Sequence, residues 1–171
     1  VKRTPTSELA FARRIANRNA KFLKASPERQ RVMLAEDIIA GLDSGEYRAR
    51  SGTYLAQRDF MGDGSEERCV GCALGLTFVA CLSATGGRVS VHTPVHVMRS
   101  TLSMFSEETL LQMEAAFEGW GAEASRGGNA ETEAFNRSNG GERFDDDEKC
   151  LRRVMLNIIR HRGEFVPSDR R

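Results

Sequence analysis

The chain has 171 residues, of which 40% are hydrophobic and 29% charged, and a net charge of +1. This composition excludes a disordered, fibrous or membrane-embedded chain, and the length suits one domain that buries most of the surface its unfolded form exposes. The near-neutral total hides an uneven spread. Residues 1–35 hold nine Lys/Arg against two Asp/Glu, residues 106–149 four against twelve, and residues 150–171 six against two. Such asymmetry either pairs internally across the fold, the simpler reading, or leaves a basic surface for an anionic partner.

A first helix is expected after Pro5, capped by Thr6 or Ser7 and ending near Ala25. Phe11, Ile15, Phe22 and Leu23 form its thin apolar side, and Arg13, Arg14, Arg18, Lys21 and Lys24 crowd the rest. Ser26 followed by Pro27 then opens a second helix, because proline suits the first turn, where its missing N–H costs nothing. Val32, Ala35, Ile38, Ile39 and Leu42 recur at the helical period and define its core face. Asp43-Ser44-Gly45 stops it. The run Tyr47–Leu55 reads as extended, with a turn at Ser51-Gly52, and Arg88–His92 is a second short extended run that would pair with it.

Between them, Cys69–Leu82 carries apolar or small residues on every side. As a helix it has no solvent face and must run through the centre of the domain. It is too short to span a bilayer, and its internal position after Glu66, Glu67 and Arg68 is unlike a signal peptide, so a cytoplasmic protein is expected. Gly71 and Gly75 within it suggest close approach of a backbone or a ligand. A short helix from His96 to Phe105 follows. Ser106 then caps another, with the stripe Leu110, Leu111, Met113 and Phe117. Residues 120–143, rich in Gly, Ser, Asn and Glu, read as a long mobile loop. Asp145–Arg162 is the last helix: acids stand at its positive end, bases at its negative end, and Gly163 at the C′ position. The sum is a mainly α fold. A basic helix over residues 1–25 precedes a single helical domain, residues 26–171, built around a central buried helix with a small β-hairpin or sheet at one side.

The blocks Leu34–Leu42, Gly52-Thr53-Tyr54, Cys69-Val-Gly-Cys-Ala-Leu-Gly75, Phe105–Leu110 and Asn157–Phe165 resemble those of a family of small bacteriophage-encoded proteins marked by a CxxCALG block. The resemblance covers most of the chain from about residue 30 onward. It implies a phage setting and carries no catalytic residue across. The basic first helix and the 120–143 stretch look like additions to that pattern.

Cys69-x-x-Cys72 is the obvious metal or redox motif. A structural zinc site needs four ligands, usually two paired sets, and Cys81, Cys150, His92, His96 and His161 are scattered. A redox cysteine needs exposure and a lowered pKa, which apolar surroundings oppose. Buried packing of small thiols is the simpler reading, so neither metal nor cofactor is expected, and a zinc-stabilised interaction module stays as an alternative. No histidine lies in a nucleophile motif, and Asp145–Glu148 lacks the spacing of a calcium loop. A candidate ligand site lies where backbone N–H groups at the start of the buried helix, near Cys69 and Cys72, meet Arg50, Thr53, Tyr54 and Arg68; such a site would take an anion or a flat ligand. Ordinary core packing with exposed arginines is the simpler reading there too. The functional expectation is therefore a non-enzymatic binding protein acting on a host protein or sequestering a small anionic host molecule. A nucleic-acid-binding accessory role through Arg13, Arg14, Arg18 and Lys21 is the alternative, and an enzyme comes third.

Overall fold

The computed structural model describes residues 16–55, 69–88, 90, 92–118 and 146–167. Among these are six helices and one pair of strands: α1 (residues 16–24), α2 (Pro27–Ser44), β1 (Tyr47–Ala49), β2 (Cys69–Gly71), α3 (Ala73–Thr85), α4 (Val95–Thr101), α5 (Glu107–Glu118) and α6 (Asp147–Arg160). The mainly α reading with a small sheet holds.

The helix borders follow from capping chemistry. The Ser26 side chain accepts from the Arg29 N–H at 3.4 Å with Pro27 in the first turn, and Gly45, at φ +74°, closes α2 in the left-handed region. The Asp146 carboxylate caps α6 by accepting from the Glu148 N–H at 2.7 Å, and Ser106 does the same for Thr109 at 3.1 Å. Such caps satisfy backbone donors that a helix end leaves orphaned, each worth about 1 kcal/mol.

α3 is the centre of the molecule. Residues 73–81 are all buried, and the helix packs against α2, α4, α5 and both strands. Its one buried hydroxyl, Thr77, donates back to the Ala73 carbonyl at 2.6 Å, so no polar group is stranded there. α2 and α6 make the most extensive helix contact, closing the core from the other side with Leu34, Ile38, Leu151, Val154 and Ile158. α1 docks through Phe22, which is 1% exposed, while the adjacent Leu23 points outward at 64%. The expected shared face for that pair is therefore wrong: neighbours about 100° apart on a helix cannot both face a narrow contact. Leu111 leaves the α5 stripe for the same reason, being half-exposed. Phe11, Ile15 and the 120–143 stretch lie outside the described residues.

Two sequence expectations are corrected. Cys69–Gly71 is a strand rather than the first turn of the buried helix, and α3 begins at Ala73 after Cys72 as N-cap. Among the described residues the sheet pairs 47–49 with 69–71 and not with 88–92, of which Val89 and Val91 lie outside the described residues. β1 pairs with β2 in parallel, Tyr47 opposite Cys69 and Ala49 opposite Gly71, while Arg88, Ser90 and His92 are exposed and outside any strand. Backbone pairing continues past the ends, with Cys69 N–H donating to Glu46 O and Arg50 N–H to Gly71 O, each at 2.9 Å.

A buried arginine ties distant parts together. Arg31 on α2 is 9% exposed; its Nε donates to the Gly163 carbonyl and its Nη1 to the Met104 carbonyl, both at 2.6 Å, and its Nη2 pairs with Glu164. The same guanidinium stands 5.9 Å from the centre of the Phe105 ring. Gly163 sits at φ +102° against the Glu28 carbonyl, where a side chain would collide. No helix among the described residues is long and apolar enough to cross a membrane.

Candidate functional site

The turn at Ser51-Gly52, with Gly52 at φ +70°, swings the chain from β1 back across the start of α3. There the Cys72 N–H donates to the Thr53 carbonyl at 2.7 Å. The Tyr54 carbonyl lies directly over the two glycines: a Cβ on Gly71 would come within 2.6 Å of its oxygen, and one on Gly75 would overlap it. The close approach that those glycines signal is thus made by the chain itself. Of the N–H groups at the start of α3, that of Cys72 is already taken by Thr53.

The side chains around this turn are acidic. Gly52, Thr53, Tyr54, Glu114 and Glu118 line a half-open notch of about 260 Å³. Gly52 N–H donates to Glu118 Oε2 at 2.6 Å, and Ser51 N–H donates to Asp147 Oδ2 at 2.9 Å. Burial, reinforced by the charges of Asp147 and Glu114, raises the Glu118 pKa above the usual carboxylate range, with the Gly52 N–H pulling against it. Among the described residues no Lys or Arg pairs with Glu118. Glu114 has a partner: Arg99 Nη2 donates to its Oε2 at 2.7 Å. The Tyr54 hydroxyl stands near it, its pKa raised by burial first and by the Glu114 charge second.

Comparison of the chain with protein-family models, with curated proteins and with solved structures finds no match. The site's chemistry is therefore carried by its geometry alone.

Thr53 and Tyr54 line the notch, and Cys72 meets Thr53 through its backbone N–H. Cys72 is buried, and burial pushes its thiol up to about 12, with the N–H groups of Gly75 and Leu74 only partly offsetting this. Cys69 is half-buried and strand-bound, and Arg50 is exposed, its backbone N–H donating to the Gly71 carbonyl. Arg68, Arg13 and Arg14 lie outside the described residues. Arg18 makes an ion pair with Asp37 on α2, and Lys21 is exposed. None of the four cysteines is in a disulfide, and among the described residues no three His, Cys, Asp or Glu side chains are grouped to hold a metal.

Sequence reasoning missed Glu114 and Glu118, which define the notch. Their signal was present: four residues apart on one helix, they form a like-charge pair that is unfavourable unless something compensates it. It also missed Arg99. This residue faces a second and larger cavity of about 550 Å³ between α4 and α5.

Proposed function

We propose that this protein is a non-enzymatic binding protein that docks on a partner protein by accepting a lysine or arginine side chain in the Tyr54–Glu114–Glu118 notch. In the bacteriophage setting implied by the sequence resemblance, the partner is a host protein. The observation that carries the reading is Glu118: a carboxylate held in a recess by a backbone N–H, uncompensated by any described cation, beside a ring that is 43% exposed. An incoming ammonium or guanidinium group would neutralise it, bridge toward Glu114 and lie against the Tyr54 ring, adding a cation–π contact of about 0.5–1 kcal/mol. The aromatic ring supplies contact area at small entropic cost, a common property of binding hot spots.

The test has a direct arm and a cellular arm. Acetyl-lysine amide and acetyl-arginine amide, titrated into the labelled protein, are expected to shift the amide resonances of Gly52 and Tyr54, with no such shifts in Glu118→Gln. A nuclease-treated pull-down from host lysate is expected to recover a protein that Tyr54→Ala and Glu118→Gln both lose. Absence of the shifts, or a partner retained by both variants, rejects the reading. The nucleic-acid alternative makes the opposite demand: co-purifying nucleic acid, lost when Arg13, Arg14, Arg18 and Lys21 are replaced together, with affinity falling steeply in salt.

A further inference from the structure

The cavity between α4 and α5 differs from the acidic notch in size and in lining, which holds one arginine and one glutamate among apolar residues. Its floor is apolar, made by Val95 on α4, Phe105 in the connecting turn and Leu110 on α5. Polar groups gather on the α4 side, where His96, Arg99 and Ser100 face the same space, and Glu107 stands at the α5 end. At about 550 Å³ it falls within the size range of small-molecule sites, which combine an apolar lining with a few placed polar groups.

Arg99 gives the cavity its chemistry. Its guanidinium is fixed by Glu114, a side chain only 12% exposed, so the cation is held in place before any ligand arrives. Nη2 makes that bond, whereas Nε is buried and without a partner. Nε has no surface open to the groove, so a ligand acid would meet the guanidinium through its remaining Nη donors, which its five N–H groups leave to spare for a second carboxylate. A bare inorganic anion would leave the apolar floor uncovered. An amine would face Arg99, and a neutral hydrocarbon would offer its donors nothing.

We infer that this groove binds an organic acid, a carboxylate carried on an apolar body, with the acid group toward Arg99 and His96 and the body over Val95, Phe105 and Leu110. Glu107 repels the acid group from the α5 end and so fixes the orientation. The groove and the notch meet at the Arg99–Glu114 pair, and their ligands carry opposite charges.

Octanoate and 3-phenylpropionate are the probes, with octanol and octylamine as controls, each titrated into the full labelled chain. Both acids are expected to shift the amides of Val95, Arg99 and Leu110, and octanol to bind roughly tenfold or more weakly, the difference a charge-assisted hydrogen bond makes. Arg99→Gln should remove that preference for the acid. Because Arg99 also holds Glu114, the exposed His96→Glu serves as the second variant: it leaves the core untouched, and is expected to weaken both acids several-fold while leaving octanol unchanged. Absence of acid binding, equal affinity for octanoate and octanol, or shifts confined to other parts of the chain would overturn the inference. The lysine-amide shifts at Gly52 and Tyr54 are read independently, so either site can fail without the other.

Discussion

At Gly75 the helix start and the returning chain meet so closely that one methyl group has no room. The obstructing atom is the Tyr54 carbonyl oxygen, part of a backbone pinned by the Thr53–Cys72 hydrogen bond, so it cannot swing aside as a side chain would. Gly75→Ala is therefore expected to destabilise the fold by about 3 kcal/mol, the upper part of the usual range for overpacking. Gly52 is a useful contrast. A Cβ there meets nothing, and only its left-handed φ of +70° opposes a substitution, so Gly52→Ala should cost about 1–2 kcal/mol. Urea midpoints of the two variants check the order. Arg31 poses a different question, since it serves two carbonyls and one carboxylate. Glu164 is 60% exposed, so the ion pair is solvated and worth little. The carbonyls of Gly163 and Met104 are what the guanidinium satisfies. Arg31→Met should accordingly cost about 2–4 kcal/mol and Glu164→Gln less than about 1 kcal/mol, measured by the same denaturation. Equal losses in the two would shift the weight to the ion pair.

At the scale of elements, the helices that were legible are those written with both a border and a period. α2 has Ser26-Pro27 and Gly45 around its apolar stripe, and α6 has Asp146 and Gly163 around Leu151, Val154, Met155 and Ile158; both appear within two residues of expectation. The segment from Cys69 to Leu82 was legible as buried but not as two elements. Where every side chain is apolar or small, periodicity cannot distinguish strand from helix. The break at Cys72 is set by tertiary contact instead: β1 recruits Cys69–Gly71 into a ladder, and the Thr53 carbonyl takes the Cys72 N–H. Among the described residues β1 takes Cys69–Gly71 as its partner instead of the expected 88–92, because three-residue strands carry almost no register information of their own. The same limit applied to the notch. Thr53 and Tyr54 stood out beside a glycine turn, whereas Glu114 and Glu118, some sixty residues away, looked like an ordinary solvated helix face.

Across the whole molecule, three thiols sit in the core, and their titration is a property of folding. Burial pushes Cys81 up to about 11, Cys72 up to about 12 and Cys150 higher still, the last two aided by nearby carboxylates. A thiol raised in the folded state favours folding fully below its ordinary unfolded value, near 8.5, and that contribution is lost as the pH climbs toward the folded values. The urea midpoint should therefore fall progressively between about pH 9 and pH 11. Cys81→Ala should make the fall shallower. In the native protein at neutral pH, a thiol reagent is expected to modify Cys72, Cys81 and Cys150 only at the rate of global opening. Rapid labelling of Cys150, which is 0% exposed, would contradict the buried core.

The packing of α2 on α6 joins stretches of chain separated by roughly a hundred residues, and the ribosome makes them in that order. At ~5–20 residues per second, α2 emerges roughly five to twenty seconds before the helix that covers it. During that interval Leu34, Ile38 and Leu42 belong to a nascent chain with no finished core to enter, and Arg31 has neither Gly163 nor Glu164 to hold. A translation product that stalls before Asp147 thus retains an uncovered apolar face, a mark by which chaperones and proteases can tell an unfinished copy from a finished one.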